Sequence, residues 1–193
     1  MKINKEGIDL IKSFEGCVLH TYDDGFGNLT IGWGHCSSDV YKGQVLTQKE
    51  ADDLLLKDVE RFEDNVNKYV NTYKFNQNEY NALVSFAYNL GSVDELLKYG
   101  NLKKEDICDR MLLYCHANGE VVEGLEKRRK EEVKMFKKPC TPKVDMAYCY
   151  ELLARTLLGD FGTGDVRKEK LGSMYGVVQE AINTVTDYFK KNI

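Results

Sequence analysis

Ser13-Phe14-Glu15-Gly16-Cys17, then Tyr22-Asp23-Asp24-Gly25-Phe26-Gly27-Asn28-Leu29-Thr30-Ile31-Gly32-Trp33-Gly34-His35, is the stretch where the chain changes periodicity. Upstream, Ile8, Ile11 and Phe14 recur at helical spacing behind Asn4, whose side chain suits an N-cap, and Gly16 supplies a stop. Downstream, β-favouring residues in Val18 to Tyr22 and Leu29 to Trp33 flank Asp/Gly/Asn turn chemistry, which predicts a small antiparallel sheet. A helix running into a hairpin near the start predicts an α+β fold.

Working outward, Thr47-Gln48-Lys49-Glu50 is a capping box, and Ala51, Leu54, Leu55, Val59, Phe62, Val66 and Tyr69 continue a helical period for about five turns. Asn76 to Glu79 opens a second capped helix through Tyr80, Leu83, Val84, Ala87, Tyr88 and Leu90, closed by Gly91. Being apolar nearly all round, it predicts the central buried helix. Further helices are expected over Glu105 to Ala117, closed by Asn118-Gly119, and over Leu125 to Lys137, with Leu125, Val133 and Phe136 inward and the Lys/Arg run outward. The two prolines, Pro139 and Pro142, predict an extended linker over residues 138–143 between a mostly helical unit, 1–137, and a second unit, 144–193. The second unit reads as a small three-helix bundle over Asp145 to Leu158, Asp165 to Leu171 and Tyr175 to Lys190.

Composition narrows the function classes. The 193 residues carry a net charge of −4, which disfavours nucleic acid as a partner and adhesion to an anionic surface by charge alone. No run reaches the roughly 18 apolar residues of a membrane span, and the N-terminus lacks the apolar core of a signal peptide, so neither membrane insertion nor a leader is expected. The six cysteines form no metal-finger spacing and read as mostly reduced and buried; no metal or other cofactor is called for.

Glu15 and Asp24 are two carboxylates in different settings, with the Thr30 hydroxyl beside the second. Cleavage of a glycosidic bond needs an acid to protonate the leaving oxygen and a second carboxylate to attack or to activate water. The negative end of the first helix and the neighbouring Phe14 and Val18 favour a retained proton on Glu15, whereas Asp24 in a polar turn ionises more readily. Spacing alone also allows an ordinary helix end followed by an ordinary Asp-Asp-Gly turn.

The ordered motifs are more specific. Glu15-Gly16, Tyr22-Asp23-Asp24 and Thr30-Ile31-Gly32-Trp33-Gly34-His35 precede Thr47 to Asp58, Phe86-Ala87-Tyr88-Asn89-Leu90-Gly91 and Gly124-Leu125-Glu126-Lys127-Arg128-Arg129-Lys130-Glu131-Glu132. Together, over roughly residues 4 to 136, they resemble the phage-type lysozymes of glycoside hydrolase family 24. The resemblance implies a lysozyme-like fold and hydrolysis of the β-1,4 bond between N-acetylmuramic acid and N-acetylglucosamine in peptidoglycan. It implies Glu15 as general acid and Asp24 and Thr30 as positioners of the attacking water, hence inversion. Tyr22, Asn89 and Tyr114 are candidate substrate contacts; for Tyr22 and Trp33 core packing, and for Asn89 capping or a buried polar role, remain equal readings. Tyr114 stands where the family often carries Trp. His35 reads as a structural hairpin residue paired with a carboxylate or backbone group, and Arg128 and Arg129 as structural or solvated.

In the second unit, Ala154 to Arg167, followed by Leu171, Tyr175, Val178-Gln179 and Asn183, resembles the cell-wall-binding family 7 repeat of modular phage endolysins. That resemblance implies muropeptide binding through Asp160, Gly162, Gly164 and Arg167, with Thr163 standing where Asn is usual. A Gly-rich interhelical turn with Arg167 capping a helix is the plain alternative. The expected whole is an endolysin made in the host bacterial cytoplasm and acting on the wall after release, with holin dependence left open. A catalytically inactive peptidoglycan-binding protein, or a hydrolase of another amino-sugar polymer such as chitin, are the other readings.

Overall fold

The computed structural model describes residues 1–25, 27–117, 119–139 and 146–192, including side chains for 151–184, 186 and 187 of the C-terminal part. Met1–Cys140 and Thr141–Ile193 form two compact units. The first is mostly helical with a small antiparallel sheet near its start, the lysozyme-like α+β arrangement.

Helix α1, Lys5–Phe14, is capped by Asn4, whose side chain accepts from the Gly7 amide. It ends just ahead of the expected stop at Gly16: Glu15 is already extended at φ −101°, ψ 136°. Strand β1, Val18–Asp23, pairs with β2, Leu29–Gly32, in a register that sets Tyr22 opposite Thr30, with an irregularity between Val18 and Tyr22. Gly32 and Gly34 take positive φ around Trp33, and reciprocal Ile31–His35 backbone bonds close that tight turn.

Helix α2, Gln48–Tyr73, begins at the Thr47/Glu50 capping box and runs 26 residues, beyond the expected Tyr69, to a left-handed stop at Lys74. Helix α3, Gln77–Leu90, has the second capping box, Asn76/Glu79, and ends at Gly91 with φ 91°. It is buried along most of its length and packs against α1, against α2 and against α5, Glu123–Lys137. Leu55, Val59, Phe62, Tyr80, Leu83, Phe86, Ile107 and Met111 belong to the core around it.

Two expectations are corrected. The helix foreseen over Glu105 to Ala117 is α4, Ile107–Leu112, entered by a 3-10 turn at Lys104–Asp106. His116–Ala117 (β3) and Glu120–Val121 (β4) then form a short hairpin with Gly119 at φ 83°. Gly119 therefore belongs to a strand reversal rather than to a helix stop, while Asn118 lies outside the described residues. In α5 the Lys/Arg run does not all face outward: Arg128 and Arg129 are buried with Glu132. Their charges are compensated inside, which removes the usual reason for a basic run to seek water.

Lys138 ends α5 in the extended conformation imposed by the following proline, and Asn78 donates to the carbonyls of Lys138 and Pro139. The remainder of the expected linker, residues 140–143, lies outside the described residues, as does the start foreseen at Asp145. The second unit holds α6, Met146–Leu157, α7, Gly164–Leu171, and α8, Tyr175–Asn192. Leu152, Phe161, Leu171 and Val178 form its core, with Met174, Tyr175 and Ile182 packed against them. Among the described residues, no helix is long and apolar enough to cross a membrane. Cys17, Cys36, Cys108 and Cys115 are free; Cys108 and Cys115 are buried as expected, whereas Cys17 is half-buried and Cys36 exposed.

Candidate active site

Glu15 leaves the end of α1 with its side chain 25% exposed. It lines a cleft of about 200 Å³ with Trp33, Gly34, Asp58, Arg61, Phe62, Tyr88 and Asn89. Arg128, only 4% exposed, donates from Nη1 to Glu15 Oε1 at 2.6 Å. Its Nε reaches Glu132 Oε1 at 3.2 Å, and its guanidinium lies 5.5 Å from the Phe14 ring centre. One buried cation thus holds one oxygen of a carboxylate that lines the cleft.

Arg128 is itself fixed. Glu132 Oε1 also accepts from Ser85 Oγ at 2.9 Å and from Arg129 Nη2 at 3.3 Å, while Arg129 Nη2 donates to Asn89 Oδ1 at 2.8 Å. The Arg129 Nε–Glu132 Oε2 pair stands at 3.1 Å without hydrogen-bond alignment, so it acts as charge rather than as a directed bond. Burial pushes the Glu132 carboxyl up and the Arg129 guanidinium down, each against the opposing pull of its partner. Asn89 thus lines the cleft while its Oδ1 accepts from Arg129 beneath it.

Trp33 is held by a bond from Nε1 to Asp52 Oδ1 at 2.8 Å, and Lys12 lies both on that carboxylate, at 2.8 Å, and over the indole, at 5.0 Å. Lys12 and Trp33 together hold the Asp52 carboxyl down at about 2. Tyr88 donates its hydroxyl to the Trp33 carbonyl at 2.8 Å; burial, then the charges of Glu15 and Asp58, keep that phenol protonated. His35 binds Asp58 through Nδ1 at 2.8 Å and Asp39 through Nε2 at 3.0 Å. Burial pushes the imidazole down, but the bonds to Asp39 and Asp58 outweigh it and raise it above its ordinary value. His35 is thus a hairpin anchor.

Asp24 sits half-buried in the β1–β2 turn, where its carboxylate accepts from the Asn28 amide at 3.1 Å and from Asn28 Nδ2 at 3.0 Å. Thr30, in β2, is 4% exposed, and its Oγ1 has no hydrogen-bond partner among the described residues. The hairpin brings Asp24, Thr30 and the exposed Tyr22 together, but Asp24 and Thr30 do not line the cleft at Glu15. Tyr114 packs edge-on against Phe86 at 5.1 Å and joins the core margin. Arg128, Tyr88, Asp58 and Arg61 are site residues that sequence reasoning did not select. One available signal was Ser85, a polar residue inside the apolar stretch Ala82 to Ala87, which needed a buried partner.

In the second unit, Gly162 and Gly164 have positive φ. Arg167 donates from Nε to the Gly162 carbonyl at 2.9 Å and from Nη1 to Gln179 Oε1 at 3.2 Å. Asp160 pairs with Arg155 at 3.1 Å. Arg167, in α7, consequently ties the loop to α8.

Residues 12–132 match the phage lysozyme family. An endolysin of Bacillus phage PZA is 41% identical over 143 residues, spanning 70% of this chain and 55% of the relative. An endolysin of Lactococcus phage c2 is 39% identical, spanning 72% and 62%. The chain thus spans little more than half the length of these relatives. An endolysin of Salmonella phage P22 is 33% identical over 68% of this chain and 95% of its own length. Among solved structures, the muramidase domain of SpmX from Asticaccaulis excentricus superposes with a TM-score of 0.64 at 32% identity, covering 72% of this chain and 99% of that one. With motifs, fold and a cleft-lining Glu15 in agreement, the chain belongs to the phage lysozyme family.

Proposed function

We propose that the protein is a modular endolysin whose first unit is a muramidase, cleaving the β-1,4 bond between N-acetylmuramic acid and N-acetylglucosamine of peptidoglycan. The observation that carries this reading is the Glu15 carboxyl, presented to a cleft and braced on one oxygen by the buried Arg128. Held in place by Arg128, the Glu15 carboxyl delivers the proton to the leaving glycosidic oxygen. The family resemblance, rather than the cleft's lining, supports Asp24, oriented by Asn28, and Thr30 as the holders of the water that attacks the anomeric carbon from the opposite face, which predicts an inverted product. Tyr22 and Asn89 flank this path, whereas the Tyr114 contact with Phe86 favours a packing role over a sugar contact.

The second unit binds the wall through Asp160, Gly162, Gly164 and Arg167. Because Arg167 Nε and Nη1 are engaged, its grip on a muropeptide carboxylate uses Nη2 with loop backbone N–H groups rather than a full bidentate fork. Glu15→Gln should abolish lysis of wall suspensions with the fold retained by circular dichroism. Mass spectrometry of the digest should show muramic acid at the new reducing ends. Reducing-end glucosamine, free stem peptides, or mainly β-anomeric product at early times would each overturn the corresponding part. Arg167→Ala should weaken co-sedimentation with walls while leaving hydrolysis of soluble strands unchanged.

A further inference from the structure

A second depression, of about 410 Å³, adjoins the Glu15 cleft and shares Arg61, Phe62 and Tyr88 with it. Arg61, Asn65 and Lys68 enter it from one face of α2, at intervals of four and three residues, and Gly91 closes it from α3. This wall holds two cations and no carboxylate, in a protein whose net charge is −4. Two carboxylates on its flanks are already engaged: Asp58 binds His35, and Asp94 accepts from Asn65 and from the Tyr69 hydroxyl. The Arg61 guanidinium lies 4.6 Å from the Phe62 ring centre, in a residue that is exposed as a whole. Lys68 is 62% exposed and only 4.0 Å from Asp94, a loose pairing.

We infer that this depression is an anion subsite in which Arg61 and Lys68 receive carboxylates of the stem peptide carried by a muramoyl residue next to the scissile bond. The inference rests on the muramidase reading and adds to it a determinant of substrate choice. Continuity with the Glu15 cleft is what selects the stem peptide, since that substituent is tethered to the sugar being cleaved and must lie beside it. A carboxylate also matches Arg61, which has no carboxylate partner among the described residues and can donate two parallel bonds, and the loosely paired Lys68, a compact charge.

The test compares soluble, uncross-linked peptidoglycan strands with the same strands stripped of stem peptides by an amidase. The variant Lys68→Ala, at a residue that does not line the Glu15 cleft, should raise KM on peptide-bearing strands about two- to fivefold, the range of one exposed charge contact, with kcat little changed. KM on stripped strands should not move. Lys68→Arg should keep most of the parent KM, and raised salt should shrink the difference between parent and Lys68→Ala. Equal losses on both substrates, or none on either, would overturn the subsite. An unaltered protein that cleaves neither substrate would instead overturn the muramidase reading.

Discussion

Replacing Arg129 by Met tests the buried network beneath the cleft. Arg129 and Glu132 are both 0% exposed, and the substitution removes the bond to Asn89, the contact with Glu132 Oε1 and the charge 3.1 Å from Oε2. Glu132 keeps Ser85 and Arg128, so it is under-compensated rather than abandoned. Breaking a buried ion pair by removing one partner costs about 3–5 kcal/mol, and Met recovers part of the packing against Phe86. A loss of about 3 kcal/mol is expected, or roughly 10 °C in Tm for a unit of this size. The single tryptophan, Trp33, lies in the first unit, so its fluorescence in urea reports on that unit.

The pH dependence gives a second readout. Burial raises the Glu132 carboxyl above its unfolded value, so its ionisation costs stability as pH rises through the folded value, and this cost vanishes below the ordinary glutamate range. Removing Arg129 enlarges that cost. The deficit of Arg129→Met should therefore be largest near neutrality and shrink in acid, and Arg129→Met/Glu132→Gln should recover part of it. A variant within about 1 kcal/mol of the parent, or a deficit that does not move with pH, would refute the reasoning.

Three other outcomes follow from the same contacts. His35→Asn should cost about 1–2 kcal/mol, chiefly through Asp58 because Asp39 is largely exposed; since the folded imidazole is raised, the gap is full below its unfolded value and closes as pH rises through the folded one, which denaturant titrations in steps of pH will follow. Gly7→Ala would place a Cβ 2.5 Å from Ile3 Cγ1 and 2.9 Å from Asn81 Cγ, so thermal unfolding should show a loss of about 1–3 kcal/mol instead of the usual gain in helix propensity. Thr47→Ala removes a cap bonded to the Glu50 amide at 3.2 Å and should cost about 1 kcal/mol in the same assay.

What could be read from sequence was what neighbours decide. Asn4, the Thr47/Glu50 and Asn76/Glu79 boxes and Gly91 act within one turn, and the helices begin or end at them. The β1–β2 hairpin announced itself through the turn residues between two β-favouring runs. Asn118-Gly119 failed because the dipeptide suits both a helix stop and a strand reversal, and only pairing of His116–Ala117 with Glu120–Val121 separates them. Arg128 and Arg129 were read outward because a basic run normally prefers water. Their burial depends on Glu15, Ser85 and Asn89, which are distant in the chain and invisible to any local window.

The bond between Arg128 and Glu15 spans 113 residues. At roughly 5–20 residues per second, about 6 to 23 seconds of synthesis separate the two partners on a ribosome. During that interval α1 and the hairpin can form from local signals, but the carboxyl at their junction has no cation behind it. A nascent chain stalled before α5 therefore displays the motif without its brace. The order of translation defers assembly of the cleft until the first unit is nearly complete.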